Sequence, residues 1–243
     1  MSSISVLVAD FWSDYAFFRR GYSTTSPLTY PFPPRTAISG LIACIVGMDW
    51  NEYYSKVEDK FSQENSLFSI QLLNPIKKIR INQNLIDTKQ GFYLWDIVLK
   101  KQEPRTQIPF EYIKDPKYRI FVWFKNKDLF NLLHEMLEAH KSVYTPYFGV
   151  SELIANFRYV GIYNAEKKNA GNKTPIMSVV KKEHKIDFEE GKVYERVKVP
   201  AFMKKDRTLT GSLELIYEKN GNPINITSGE YYQVNGYGNI VLF

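Results

Sequence analysis

Four clusters of cations carry the chemistry that can be read from this 243-residue chain. "FFRRGY" sets Arg19, Arg20 and Tyr22 among aromatic residues. "KKIR" supplies Lys77, Lys78 and Arg80, and "KKQEPRTQ" supplies Lys100, Lys101 and Arg105. "FMKKDRT" adds Lys204, Lys205 and Arg207. Guanidinium groups clamp phosphate oxygens in a bidentate fork, and aromatic rings stack on bases. The pattern therefore points to a polyanion with flat bases.

The charge is uneven. Lys and Arg exceed Asp and Glu by 12 to 5 over residues 75–127 and by 12 to 7 over 166–210. Together these segments hold the whole positive excess, which the rest of the chain reduces to the net charge of +6. Each reads either as a solvated face or as part of an anion-binding surface.

Other chemistries find little support. His134 and His140 are six positions apart on one helical pattern, about 240° around its axis, so they do not converge on a metal. His134 reads as a helix-face residue, and His140 as a helix-end residue that complements the dipole. His184, inside "VVKKEHKID", reads as exposed. Asp10 and Asp14 straddle the end of the first strand and could form a paired-carboxylate site. No Walker, G-x-S-x-G, H-E-x-x-H or G-x-G-x-x-G pattern occurs. Cys44 is the single cysteine, so a disulfide framework and a Cys-based metal cluster are excluded. No cofactor and no metal is expected. "MSSISVLVADFW" has no basic lead before its apolar part, and no apolar run has the length of a membrane span. The expectation is a cytoplasmic protein with no membrane partner.

These residues need a scaffold. "SISVLVADF" alternates with both faces apolar, as a central strand does. "SDYAFFRRGYSTTSPLTYP" reads as a long loop. In "YPFPPRTAISGLIACIVG", Pro33 and Pro34 fit the entrance of a helix. Ile38, Leu41, Ile42 and Ile45 form its buried face, and Gly47 suits its end. Arg35 and Thr36 then fall at its N-terminus, where free N–H groups favour a phosphate. Arg35 could instead pair with Asp10 or Asp14. "NEYYSKVEDKFSQE" reads as a second, exposed helix, and residues 67–83 as a long strand or a pair bent at Pro75. Residues 84–116 read as a projecting arm. "KYRIFVWF" is a strand. "NKDLFNLLHEMLEAH" is a helix with Leu129, Leu132, Leu133, Met136 and Leu137 on one face and Asn126 or Asp128 as cap. "NFRYVGIY" is a further strand, followed by short β-like runs.

The order is βαββαβ, so the fold class is α+β: a ferredoxin-like or RRM-like domain over 1–165 with an inserted arm. A smaller β-rich lobe fills 166–243. No clean RNP1 motif is present, so nucleic-acid binding is expected from loops and arm and not from the sheet face.

"RRGYSTTSPLTYPFPPRTAISGLIACIVG" resembles the N-terminal signature of CRISPR-associated family five, the RAMP subunit of type I Cascade complexes. "RTQIPFEYIKDPKYRIFVWF" is similar to that family's arm-and-strand segment, and "YTPYFGVSELIANFRYVG" to its later Pro-Gly-Ser segment. The arm looks most like the type I-B branch. The resemblance implies a ferredoxin-like fold with a β-hairpin thumb at about 84–116. It implies a subunit that caps the 5′ handle of the crRNA, beside the Cascade large subunit and the first backbone subunit. Handle contacts would fall on Arg19, Arg20, Tyr22, Arg35, Thr36 and Ser39. Lys77, Lys78, Arg80, Lys100, Lys101 and Arg105 would clamp the backbone. In the type I-C branch the family cuts pre-crRNA with a Tyr, Lys and His set, Lys directly preceding His. No Lys-His dipeptide occurs here, so a non-catalytic subunit is expected. The alternative is a metal-independent endoribonuclease using His184, or Tyr22 with Lys100 or Lys101. A basic scaffold that binds only protein is a third reading.

Overall fold

A computed structural model describes residues 3–21, 26–49, 51, 59–86 and 105–243. Tyr22, Lys100, Lys101, the outer part of the arm and most of the second helix expected near residues 51–64 lie outside the described residues. Fourteen strands and two helices are found among the described residues, a mixed α+β chain built mostly of strands. No helix among them is long and apolar enough to cross a membrane.

The main sheet has eight strands. One end of it runs β7 (Asn156–Ala170), β1 (Ser3–Trp12), β6 (Lys117–Phe124) and β3 (Ser66–Leu72), each antiparallel to its neighbour. β1 is buried on both faces, as its alternation predicts. Leu7, Ala9 and Phe11 join the larger core, while Val6 and Val8 join a second cluster with Phe121, Ala165, Val234, Ile240 and Leu242.

Helix α1 (Arg35–Val46) follows β1, and α2 (Lys127–Glu138) follows β6. Ile38, Leu41, Ile42 and Ile45 lie in the larger core together with Leu129, Phe130, Leu133 and Leu137, so both helices pack on one face of the sheet. Gly47 ends α1 in the left-handed region at φ 80°, its N–H bonding the Ala43 carbonyl, the conformation glycine reaches without strain. Asn126 caps α2 by accepting from the Leu129 N–H at 2.9 Å. Leu132 departs from its expected face. It is 41% exposed, and Phe130 takes its place in the core.

The expected bend near Pro75 separates β3 from β4 (Lys77–Ile86). β4 pairs in uninterrupted register with β5 (Arg105–Lys114), from Lys77 opposite Lys114 to Ile86 opposite Arg105. The hairpin therefore starts at Lys77, seven residues before the expected start of the arm at 84. Part of the expected long loop is a short strand, β2 (Tyr15–Ala16), which pairs with β5 to complete a three-stranded sheet ordered β2-β5-β4.

Beyond residue 170 the chain adds β8 (Thr174–Ile176), β10 (Lys185–Asp187), β13 (Ile224–Val234) and β14 (Gly238–Ile240) to the main sheet. β9 (Val180–Lys181), β11 (Tyr194–Met203) and β12 (Leu209–Glu218) form a separate three-stranded sheet. Its Val197, Val199 and Leu215 join the core that holds α1. β7 runs through residues 165 and 166 without a break and pairs with both β1 and β13, so the C-terminal strands continue the main sheet.

Candidate nucleic-acid interface

The hairpin β4–β5 is anchored at its base and exposed beyond it. Ile113 is fully buried and Tyr112 nearly so, while β4 shows no buried residue. The loop carrying Arg19 and Arg20 docks against the same base. Glu111 on β5 bonds the Pro27 carbonyl through its N–H, and its Oε1 accepts from the Thr29 N–H at 3.2 Å. That oxygen also pairs with Lys78 Nζ at 3.1 Å. Thr29 in turn accepts from the Phe18 N–H through its hydroxyl at 2.9 Å. The structure thus brings the "FFRRGY" loop and the "KKIR" strand together at one carboxylate.

Within that cluster the side chains differ. Arg19 is exposed. Arg20 is half-buried, its Nε donating to the Thr29 carbonyl at 3.0 Å and its guanidinium lying 5.4 Å from the Tyr30 ring. Lys77 and Arg80 are exposed, without a side-chain partner among the described residues. Arg105 stands exposed at the far end of the paired strands.

One face of the hairpin sheet has a regular composition. Tyr15, Lys114 and Lys77 form a single cross-strand row. Two residues along β5 comes Tyr112, opposite Ile79, and then Phe110, opposite Ile81. Side chains two apart on a strand share a face. Phe110 and Tyr112 stack with centroids 6.1 Å apart, and Phe17 lies 5.3 Å from Phe110 and 5.5 Å from Tyr112. These rings floor a groove of about 450 Å³ whose other wall is Val150, Glu152 and Leu153. Gln83 donates to the Tyr112 hydroxyl at 3.2 Å inside it. Burial, with a smaller contribution from Glu152, holds the Tyr112 phenol above its ordinary range, against the opposing Gln83 bond.

Arg35 requires a correction. It was expected to meet a phosphate or a carboxylate, and it does neither. It is fully buried. Its Nη1 donates to the main-chain oxygen of Phe243 at 2.6 Å, and Nη2 reaches the carbonyls of Phe61, Ser62 and Ser66 and the Ser66 hydroxyl at 2.8–3.2 Å. The guanidinium lies 4.6 Å from the Phe68 ring and 5.0 Å from the Phe202 ring. Burial lowers its pKa to about 10. It is a structural cation that ties α1 to β3 and to the chain near residue 243. Ser39 is corrected with it: the side chain is 3% exposed and its hydroxyl donates to the Arg35 carbonyl at 3.0 Å. Thr36 is half-buried.

Asp10 does not form a carboxylate pair with Asp14. It is buried and held by Arg119, at 2.7 and 3.0 Å to its two oxygens, and by Arg158 at 3.1 Å. Arg119 also lies 4.8 Å from the Tyr237 ring. His184 is buried, not exposed as expected, with Nδ1 3.1 Å from the Lys181 carbonyl and Nε2 2.8 Å from the Glu230 carbonyl. His134 lies 3.6 Å from the Glu138 carboxylate, and His140 packs at a tilt on Phe157, ring centroids 4.7 Å apart. No group of three or more His, Cys, Asp or Glu side chains suited to a metal is found among the described residues.

The two basic segments differ. In the C-terminal one, Lys173 and Lys192 bind Glu189, Lys182 and Arg196 bind Glu214, and Lys167 binds Glu230. Those hydrogen bonds hold the Glu189 carboxyl at about 2. Much of that positive charge is consumed internally. Lys204, Lys205 and Arg207 are exposed in the turn between β11 and β12, in a different sheet from the hairpin.

Comparison with known proteins gives the class. A family profile described as "CRISPR-associated protein (Cas_Cas5)" matches residues 6–210, and the chain belongs to that family. Among solved structures, it is similar to a CRISPR protein from Archaeoglobus fulgidus, with a TM-score of 0.52 and 14% identity over 96% of this chain and 97% of that one. A chain from a CRISPR RNA-guided surveillance complex aligns at a TM-score of 0.49 and 11% identity, covering 90% of this chain and 91% of that one. No curated protein sequence matches.

Proposed function

We propose that this chain is a crRNA-binding subunit of a type I CRISPR effector complex, of the I-B branch, which caps the 5′ handle without cutting it. The order β7-β1-β6-β3, with a helix after β1 and another after β6, reads as a ferredoxin-like plan, and the β4–β5 hairpin as its thumb. The observation that carries the reading is the cation set gathered at the hairpin. Lys77 and Lys114 stand exposed without side-chain partners among the described residues on the hairpin face that carries the aromatic groove, and Arg80, exposed and equally without a partner, stands on the other face. Exposed, unpaired cations release counterions when they meet phosphates, and rings stack on bases. Membership of the family adds the kind of complex. The Cascade large subunit and the first backbone subunit are the protein partners this reading assigns. No metal or cofactor takes part, and the complex is cytoplasmic.

The non-catalytic part of the reading draws on His184. Its ring is buried, and both of its nitrogens face main-chain carbonyls, of which a neutral imidazole can donate to one; the surroundings are those of a structural histidine and not of a general base open to a 2′-hydroxyl. Purified protein incubated in EDTA with labelled repeat RNA tests the proposal. Salt-sensitive retention of the 5′-handle fragment with no cleavage is the expected result. A single specific cut in EDTA would make the chain a processing nuclease. Neither binding nor cleavage would leave a scaffold that meets only protein.

A further inference from the structure

Lys77 and Lys114 face each other directly across the base of the hairpin, with Tyr15 completing the row. Like charges in such a cross-strand pair repel and weaken the sheet. Here no internal carboxylate compensates: neither ammonium has an ion-pair partner among the described residues. The pair is poised for an anion from outside.

What lies next to it narrows the anion. On the same face, Tyr112 and then Phe110 follow Lys114 along β5, and the groove they floor has about 450 Å³ of space, within the size range of small-ligand sites. Stacked rings accept any flat aromatic surface. The groove also holds the Gln83 amide and the Glu152 carboxylate, a donor and an acceptor suited to the edge of a base. An inorganic anion would use the lysines and leave the rings idle. An apolar side chain would use the rings and leave the lysines unneutralised. A nucleotide uses both.

We propose that this groove is a single-nucleotide subsite: the base stacks on Phe110, which Tyr112 backs from within, and the adjoining phosphate sits between Lys77 and Lys114. The subsite deepens the RNA-binding reading and rests on it. It assigns to Lys114, Phe110, Tyr112 and Tyr15 a role that the positions of charged clusters in the sequence do not reveal.

The test uses the full chain and a single-stranded RNA of repeat sequence carrying one 4-thiouridine at successive positions. Ultraviolet crosslinks are mapped by mass spectrometry, and affinity is measured by fluorescence anisotropy at several salt concentrations. The expected crosslink falls on the peptide holding Phe110 and Tyr112 from one RNA position only. Phe110→Ala should weaken binding about tenfold, the scale of one lost base stack. Lys77→Gln with Lys114→Gln, a surface change that does not disturb packing, should reduce the slope of log affinity against log salt by about 0.7 to 1.4. RNA bound with normal affinity by both variants, and crosslinked elsewhere, overturns the subsite while the RNA-binding reading stands. Failure of the wild-type chain to bind RNA at any salt concentration overturns both.

Discussion

Arg35 donates to the main-chain oxygen of Phe243 at 2.6 Å, joining positions 208 residues apart. The same guanidinium gathers the carbonyls of Phe61, Ser62 and Ser66, so one side chain holds the start of α1, the approach to β3 and the strand-like end near Phe243. Removing it leaves several buried acceptors without donors. Arg35→Met should destabilise the protein by about 3–5 kcal/mol, each lost charged hydrogen bond contributing ~1.5–3 kcal/mol before relaxation. Arg35→Lys should recover only part of this, because an ammonium cannot present a planar fork. Urea melts without RNA check the prediction. Variants as stable as the parent would show that these hydrogen bonds do not hold the fold together.

Gly149 adopts φ 97°, and a Cβ placed there would lie 1.8 Å from the Phe17 carbonyl oxygen. The neighbouring Phe148 carbonyl accepts from the Phe17 N–H at 3.0 Å, so the two segments cannot separate without losing that bond. Gly149→Ala should cost about 2–4 kcal/mol through combined strain and steric overlap. Thermal denaturation reads the result, and a melting temperature within a degree or so of the parent would contradict it.

Asp10 balances two guanidinium groups from inside the sheet. Asp10→Asn keeps the volume and removes the charge. Breaking a buried pair in this way should cost about 3 kcal/mol. The loss should shrink in the triple variant that also carries Arg119→Gln and Arg158→Gln, since no uncompensated cation then remains. Equal losses in the single and triple variants would show that the carboxylate's charge is not what matters.

The Lys77 and Lys114 pair should separate stability from function. Replacing either lysine by Gln relieves a repulsion, so the free protein should gain up to about 0.5 kcal/mol. RNA affinity should fall in the same variant. Chemical denaturation of each single variant decides the first half; a clear loss of stability would mean that the lysines hold the hairpin together through contacts of their own.

The alternation in β1, the i, i+3, i+4, i+7 spacing in α1 and α2, and the bend at Pro75 could all be read from the sequence because each is a local pattern. Arg35 could not. A cation at the start of a helix reads as solvent-facing or carboxylate-paired, and the carbonyls that bind it come from Phe61, Ser62, Ser66 and Phe243, which no local pattern links. His184 misled for a similar reason. Its sequence neighbours are polar, yet its ring lies so close to Gly229 that a Cβ there would sit 2.4 Å from it. The Lys114 row was hidden because pairing register, not spacing along one strand, places Lys77 and Tyr15 beside it. The charge clusters themselves were visible, but their fates were not: ion pairs with Glu189, Glu214 and Glu230 neutralise much of the C-terminal segment, while the hairpin keeps its cations exposed.

β7 lends its first part to β1 and its last part to β13 within one unbroken 15-residue strand. A strand shared in this way leaves no hinge between what it joins, since rotation would tear ladder hydrogen bonds on both sides. The strands before residue 165 and those after it therefore move as one rigid sheet, with β7 as their common member.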